Sequence, residues 1–289
     1  MNRTRLNLAL MAVAAGLGGA VFFAQKAQPP GPPLTPYAAD AVMRVALEHP
    51  GKPAIALEKQ EGGWRITAPV QAAADEFEVN ALIGLADRET RLKLEGGALK
   101  DLGLEPAAYT LVLNDRAIAF GGVEPLEYRR YVKTADGVFV IEDPPGAALD
   151  AEYADLVSKD LLPKGTEIER IEVPGLTLAK DADGKWSAAP AGPKATADAM
   201  QKLADGWQGA RSMWNEMARD AKVSGDRVKV TFKGGVAREF VIAAREPQFK
   251  LHRADLGVTF VLSKTLVDEL LKLPEPAAPE EPKEEAKQP

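Results

Sequence analysis

The chain has 289 residues, of which 46% are hydrophobic and 27% charged, and its net charge at pH 7 is −6. This length exceeds that of a usual single domain, and the apolar share is large enough to form a core. The negative charge argues against nucleic acid or an anionic lipid surface as the main partner. The absence of cysteine excludes disulfides, thiolate metal sites, a cysteine nucleophile and a lipoprotein-type acylated cysteine.

An apolar run opens the chain. Arg3 and Arg5 precede residues 6–24, in which Asn7 is the one polar side chain. As a helix this run would be about 28 Å long, close to the hydrocarbon thickness of a bilayer. It predicts a signal anchor and transmembrane helix over residues 1–26, with a cleaved signal peptide as the alternative. The positive charges before it predict a single pass through the inner membrane, with the body of the protein in the periplasm.

Small residues recur every four positions in this run, at Ala12, Gly16 and Ala20. They predict a face that packs on another membrane helix, although hydrophobic signal segments are often rich in alanine and glycine. A linker follows over residues 27–39. Five prolines and one glycine between Gln28 and Pro36 predict that it is stiff and extended, so that it holds the body away from the bilayer.

Residues 40–165 predict a first α+β unit. Its hairpin has a glycine-containing turn, and Trp64 at the start of the second strand is expected to pack in the core. Asp75 is placed to cap the helix that follows. The predicted strands cover residues 42–49, 55–67 (the hairpin), 109–114, 117–121, 127–134 and 138–142, and the predicted helices cover 75–91 and 147–162, with a turn of helix at 99–106.

Residues 166–273 predict a second unit of the same kind. Thr196 is the expected N-cap of its first helix. Residues 211–217 either continue that helix to about residue 221 or form an edge strand, and the register of the repeat favours the strand. The other predicted strands cover residues 168–173, 176–190 (the hairpin), 227–232, 237–244, 248–253 and 258–262, and a closing helix covers 264–273.

The two units keep a nearly constant register. Trp64 and Trp186 are 122 residues apart, and Phe139 and Phe260 are 121 apart. A constant long period indicates repeated structural units. The predicted fold class is therefore α+β, with two tandem copies of a mainly antiparallel sheet unit that has two helices, after one transmembrane helix. The acidic, proline-rich residues 274–289 predict a disordered tail.

The sequence contains no motif of a known catalytic or cofactor site. It has no phosphate-binding loop, no dinucleotide fingerprint, no metal-binding helix and no nucleophile elbow. The two histidines, His49 and His252, each lack a second histidine at ligand spacing, so we expect no metal. We predict that the protein is not an enzyme and binds no cofactor.

One cationic cluster is a candidate site for a partner. Arg129, Arg130 and Tyr131 lie in a predicted strand, with Arg129 and Tyr131 on one face and Arg130 on the other. In an acidic protein this pair of arginines would suit an acidic partner. The alternative is a strand held by ion pairs to its neighbours.

A set of short motifs resembles a bacterial envelope family known as domain of unknown function 4340. The resemblance covers roughly residues 40–265 and implies a membrane-anchored envelope protein, often encoded beside gliding-motility-type ABC transporter components. It implies no catalytic residues. The motifs are the hairpin with Trp64 and Pro69, the helix from Asp75, the segment from Leu102 to Pro106, and the segments Arg130–Val132 and Asp136–Phe139.

These patterns favour a non-enzymatic accessory or scaffold subunit of a membrane transport complex, and the resemblance implies that this complex is of the ABC type. The alternative is an envelope module that binds a saccharide or a peptide between the two repeats. An envelope hydrolase is a third hypothesis, which would require carboxylates with raised pKa values at strand ends in a concave site.

Overall fold

The computed structural model describes residues 7, 11–19, 31–125, 128–142, 146–218 and 222–274. The chain divides into two compact units, one formed by residues 1–52 and 82–149 and the other by residues 53–81 and 150–289. The sheets are antiparallel and are accompanied by a few helices. The predicted α+β class is therefore confirmed.

Between residues 31 and 274, the described residues form seventeen strands and five α-helices. The strands are β1 (Arg44–Glu48), β2 (Ile55–Gln60), β3 (Gly63–Ala68), β4 (Ala72–Ala73), β5 (Leu92–Leu94), β6 (Tyr109–Leu113), β7 (Arg116–Val123), β8 (Arg130–Thr134), β9 (Gly137–Ile141), β10 (Ile168–Val173), β11 (Leu176–Lys180), β12 (Trp186–Ala189), β13 (Trp214–Met217), β14 (Arg227–Phe232), β15 (Ala237–Ala244), β16 (Phe249–Arg253) and β17 (Val258–Leu262). The helices are α1 (Glu76–Ile83), α2 (Gly146–Leu149), α3 (Tyr153–Leu156), α4 (Ala197–Gly209) and α5 (Leu266–Leu271).

The sheet of the first unit has the strand order β1-β6-β7-β8-β9-β5. Alternate residues of β1 point to opposite faces, and Val45 and Leu47 are buried while their neighbours are more exposed. Val45 pairs with Leu113 and Leu47 with Leu111, which are buried as well. One face of this sheet therefore forms the core of the unit.

The second unit contains an eight-stranded sheet of order β12-β11-β10-β14-β15-β16-β17-β13 and the hairpin of β2 and β3, which β4 extends. Its core includes the fully buried rings of Trp207, Phe240 and Phe260. The ring centres of Trp207 and Phe240 are 5.7 Å apart, and those of Phe240 and Phe260 are 6.3 Å apart. These distances are typical of stacked or edge-to-face aromatic pairs.

The two sheets share a strand order. The run β1-β6-β7-β8-β9-β5 matches β10-β14-β15-β16-β17-β13 strand for strand, including an edge strand that precedes the meander in the chain. Both predicted hairpins, β2–β3 and β11–β12, are also present. The compact units do not divide at the predicted boundary after residue 165, since residues 53–81 group with the second unit. The repeat boundaries remain a prediction from the sequence.

Two predicted helices are shorter in the structure. The helix predicted over residues 75–91 ends at Ile83, next to Gly84, which disfavours helix continuation. The backbone beyond it bonds to the chain's proline-rich segment, where the amide of Thr35 donates to the carbonyl of Ala86 at 3.0 Å. Turns over residues 84–87, followed by residues that bond to the segment 31–35, therefore replace the rest of the predicted helix.

The helix predicted over residues 147–162 is instead two four-residue helices, α2 and α3. A new helix start interrupts it, because the amide of Glu152 donates to the Asp155 carboxylate at 2.9 Å. After α3, Val157 is extended and forms a bridge with Ala74. Residues 211–217 contain the strand β13, as the register favoured.

The predicted caps are confirmed. The hydroxyl of Thr196 accepts a hydrogen bond from the amide of Ala199 at 3.2 Å at the start of α4. The carboxylate of Asp75 accepts one from the amide of Phe77 at 3.0 Å at the start of α1. Each cap satisfies a helix amide that has no partner within the helix.

The predicted linker is only in part a spacer. Gly31 and Leu34 donate backbone hydrogen bonds of 2.9 Å to the carbonyls of Thr90 and Arg88, and Leu34 is buried. Residues 31–35 thus belong to the first unit and are bonded to its residues 86–90.

The predicted transmembrane helix lies largely outside the described residues, as does the tail from residue 275. Residues 11–19, which include Ala12 and Gly16 but not Ala20, are helical. Within the described part of the chain, no helix is both long enough and apolar enough to cross a membrane.

Candidate ligand-binding cavity

A cavity of about 480 Å³ lies in the second unit. Three stretches of chain form its walls: the end of the β2–β3 hairpin with the residues that lead into α1, the extended segment after α3, and the eight-stranded sheet. The side chains used below are Trp64, Arg65, Asp75, Phe77, Asp160, Lys164, Arg211, Arg238, Arg253 and Phe260.

Backbone pairing fixes the first two walls against each other. Arg65 of β3 pairs with Ala73 of β4, and the amide of Ala74 donates to the carbonyl of Trp64 at 2.9 Å. On the other side of β4, the amide of Ser158 donates to the carbonyl of Ala73 at 2.9 Å. Because the short strand β4 is bonded on both sides, the lining from the hairpin is held rigidly.

The apolar part of the lining is aromatic. Trp64 is 6% exposed and Phe260 is fully buried, so both rings are part of the core, as predicted for Trp64. Phe77 lies in the first turn of α1 and is 77% exposed. An exposed phenylalanine beside a cavity offers apolar surface to whatever enters it.

Three arginines line the same cavity, Arg65 from β3, Arg238 from β15 and Arg253 from β16. Arg253 is ion-paired with Asp255, with Nε 3.1 Å from Oδ1. Among the described residues, neither Arg65 nor Arg238 has a carboxylate within ion-pair distance. Two guanidinium groups of the cavity are thus left without an anionic partner.

The neighbouring arginines affect the pKa of Arg238. Burial lowers the pKa of its guanidinium first, and the positive charges of Arg253 and Arg65 lower the same pKa further, against an opposing effect of Asp255. Burial and nearby like charge both disfavour the charged form of a base. An anion in the cavity would relieve both effects.

Two of the three acidic residues of the cavity, Asp75 and Asp160, have partners of their own. Asp160 Oδ1 is 2.8 Å from Arg211 Nε, and its other oxygen is 3.4 Å from Lys164 Nζ. Asp75 is buried and caps α1. Neither carboxylate neutralises Arg65 or Arg238 within ion-pair distance.

A buried polar cluster supports the wall after α3. The hydroxyl of Tyr153 donates to the carbonyl oxygens of Leu256 and Gly257 at 3.0 and 3.1 Å. The amide of Asn215 donates to the carbonyl of Val157 at 2.9 Å, and Ser212 Oγ donates to Asn215 Oδ1 at 2.7 Å. None of these hydrogen bonds is predictable from the sequence, because polar side chains at such positions resemble ordinary surface groups.

The two histidines stand apart from this lining. His252 is buried, with Nδ1 3.1 Å from Thr259 Oγ1, and Nε2 of His49 is 2.9 Å from the carbonyl oxygen of Leu149. Of the residues described, no group of three or more histidine, aspartate or glutamate side chains is arranged to hold a metal ion. The cavity's chemistry is that of cations, aromatic rings and hydrogen-bond donors.

The cluster predicted to bind a partner lies in the first unit. Arg129 Nε is 3.8 Å from Glu142 Oε1, and Arg130 donates to the carbonyl oxygen of Gly121 at 3.0 Å. Tyr131 pairs in register with Val140 of β9. These contacts match the alternative of a strand held by its neighbours and do not exclude a partner.

A signal for the cavity does exist in the repeat. Arg65 follows Trp64 in the first hairpin, whereas Ser187 follows Trp186 in the second. Trp64 is buried, while Trp186 is only partly buried and donates to Gln201 at 3.0 Å. A difference between otherwise equivalent positions could have pointed to Arg65.

Comparison with known proteins identifies one family. The family model described as Domain of unknown function (DUF4340) matches residues 64–225, which is more than half of the chain. No curated protein and no solved structure matches the chain.

Proposed function

The chain belongs to the DUF4340 family, and we propose that this member is a non-enzymatic module that binds a small ligand, a saccharide or a peptide, in the cavity of its second unit. The observation that carries the proposal is the cavity itself. Its volume of about 480 Å³ falls within the range of small-ligand sites. Its lining combines aromatic rings with convergent polar groups, as such sites do.

The origin of the lining supports the same function. Trp64 and Arg65 come from the first predicted repeat, whereas Arg238, Arg253 and Phe260 come from the second. Duplicated units can create a binding site that neither copy holds alone. This agrees with the alternative drawn from the sequence, a ligand held between the two repeats.

The state of Asp75 and Asp160, two of the cavity's three acidic groups, favours binding over catalysis. General acid–base chemistry requires a carboxyl group with a pKa matched to its task. Asp160 is held by two cations, and Asp75 is used as a helix cap. We therefore assign binding and no reaction to the cavity.

The setting of the module is also part of the proposal. The apolar run over residues 6–24 and the arginines before it favour an inner-membrane anchor with the body in the periplasm. There the module would serve as an accessory subunit of a transport complex of the ABC type. Affinity capture of the full-length chain from detergent-solubilised membranes, followed by mass spectrometry, tests this part. Recovery without any transporter subunit would contradict it.

Ligand binding is tested with the full-length chain in detergent and two probes, tri-alanine as a short peptide and chitotriose as a short saccharide. Calorimetric titration should give saturable binding of at least one probe. The replacement Ala73→Trp would place a large ring at an exposed alanine of the cavity lining and should abolish that binding.

The matched control is Ala117→Trp, at an exposed alanine of β7 that does not line the cavity. It adds the same ring to a strand and should leave binding unchanged. If neither probe binds, or if Ala73→Trp binds as the wild type does, the proposed binding function fails.

A further inference from the structure

We propose that the ligand enters the cavity with a dianionic group, a phosphate monoester, which the guanidinium groups of Arg65 and Arg238 hold. The inference rests on the proposed binding function and adds the chemical class of the ligand to it. It concerns the wall formed by β3, β15 and β16.

The cavity differs in charge from the rest of the chain. Five cationic and three acidic side chains line it, whereas the whole chain has a net charge of −6. Of the acidic ones, Asp160 is paired with Arg211 and Lys164. Among the described residues, neither Asp75 nor Glu76 lies within ion-pair distance of Arg65 or Arg238, so the lining keeps a net positive charge.

The strands explain why these arginines converge. In the register of β15 with β16, Val241 pairs with His252, which brings Arg238 towards the end of β16 where Arg253 lies. Arg253 keeps its charge balanced by Asp255, and its side chain is 12% exposed. Arg65 and Arg238 have no such partner in the described residues, so they can bind an anion without first breaking an ion pair.

Two arginines without a carboxylate partner, Arg65 and Arg238, favour an anion that carries two negative charges. A guanidinium presents planar paired donors that match the oxygens of phosphate or carboxylate. A phosphate monoester carries a charge of about −1.5 to −2 at neutral pH, which balances two guanidinium groups, while a single carboxylate balances one. The ring of Phe77, which is 77% exposed beside the cavity, would face the organic part of the ligand.

Three probes with the same ring separate charge from hydrophobic contact: phenyl phosphate, benzoate and phenol. Calorimetric titration of the full-length chain in detergent should give saturable binding of phenyl phosphate, about 10-fold tighter than benzoate, with phenol weaker still. Arg65→Gln and Arg238→Gln should each weaken phenyl phosphate binding by about 10-fold or more. Arg227→Gln, at an exposed arginine of β14 outside the cavity, should not.

Two further probes identify the source of the phosphate. Glucose 6-phosphate represents a soluble sugar phosphate, and dihexanoyl phosphatidic acid represents a lipid headgroup. Binding of either one, weakened by Arg238→Gln, supports the proposal and tells the sources apart. Thermal unfolding shows whether each variant is folded. If Arg238→Gln does not fold, Arg238→Lys is used instead, because it keeps the positive charge. Its affinity for the phosphate should lie between those of the wild type and a variant without the charge.

The outcomes separate this inference from the proposed function. Benzoate binding as tight as that of phenyl phosphate, or wild-type affinity in folded Arg65→Gln and Arg238→Gln, would overturn the assignment of a phosphate. If tri-alanine or chitotriose still binds and Ala73→Trp still blocks it, the binding module stands without the phosphate.

Discussion

The side-chain amide of Asn215 donates a hydrogen bond to the carbonyl oxygen of Val157 at 2.9 Å. The same amide donates to the carbonyl of Ala154 at 3.2 Å, and Asn215 is 5% exposed. One side chain of β13 therefore satisfies two carbonyls at the end of α3, where the chain turns into the wall of the cavity. Buried carbonyls without such a partner are costly.

The replacement Asn215→Ala should destabilise the protein by about 2–3 kcal/mol, because it leaves the buried carbonyl of Val157 without its partner and removes a second hydrogen bond to Ala154. Chemical denaturation of the purified variant measures this change. Asn80→Ala is the matched control, since Asn80 is exposed on α1, and it should change stability by less than about 0.5 kcal/mol. Equal effects of the two replacements would show that the buried amide contributes nothing specific.

The stability that Asp75 gives to α1 should depend more on its hydrogen bonds than on its negative charge. Asp75→Ala removes the acceptor for the amides of Phe77 and Glu78 and should cost about 1–2 kcal/mol. Asp75→Asn keeps an acceptor oxygen and should recover most of that loss, although it gives up the attraction to Lys159 at 3.9 Å. Urea denaturation measures the free energy of unfolding of both variants. An equal loss in Asp75→Asn and Asp75→Ala would contradict the role of Asp75 as a hydrogen-bonding cap.

The sequence predicts well those helices and strands whose local residue patterns agree with their tertiary contacts. Alternation places Val45 and Leu47 on the buried face of β1, and Thr196 caps α4 as expected. The helix from Asp75 stops early because residues 86–90 bond to residues 31–35, a pairing across more than fifty residues that no local pattern records. Tertiary hydrogen bonds here outweigh helix propensity.

Apart from the difference between Arg65 and Ser187 in the two hairpins, the sequence does not predict the cavity. Its arginines come from strands far apart in sequence, and each one alone is an ordinary strand arginine. Arg238 differs from an ordinary strand arginine because it has no carboxylate within ion-pair distance in the described residues. Its position depends on the register of β15 with β16, which the sequence does not record. By contrast, Arg129 and Arg130 are adjacent in sequence and attract notice, yet each has a partner within the first unit.

The two tryptophans Trp207 and Trp186 should respond differently to the same replacement. Trp207 is fully buried, and its Nε1 donates to the carbonyl of Leu270 at 2.8 Å. Trp207→Phe removes that donor and leaves a void, so it should cost about 2–4 kcal/mol. Trp186 is only partly buried, and Trp186→Phe should cost less than about 1 kcal/mol in the same urea titration. If Trp186→Phe lost more unfolding free energy than Trp207→Phe, the placement of Trp207 in the core would be contradicted.

His252 should make stability depend on pH. Burial lowers the pKa of its imidazole below the ordinary 6.5, with Asp255 opposing the shift. The unfolded chain then binds a proton at a higher pH than the folded chain, so the free energy of unfolding falls as the pH drops from about 6.5 towards the lowered pKa. Below that value both states are protonated, and the loss stops growing.

The test compares the wild type with His252→Gln by urea denaturation at about pH 7.5, 6.5 and 5.5. The glutamine amide can still bond to Thr259 but takes up no proton in this range, so the variant should lose less stability on acidification than the wild type. Other titrating groups are common to both proteins and cancel in the difference. Parallel pH profiles for the two proteins would show that His252 is not held neutral by burial.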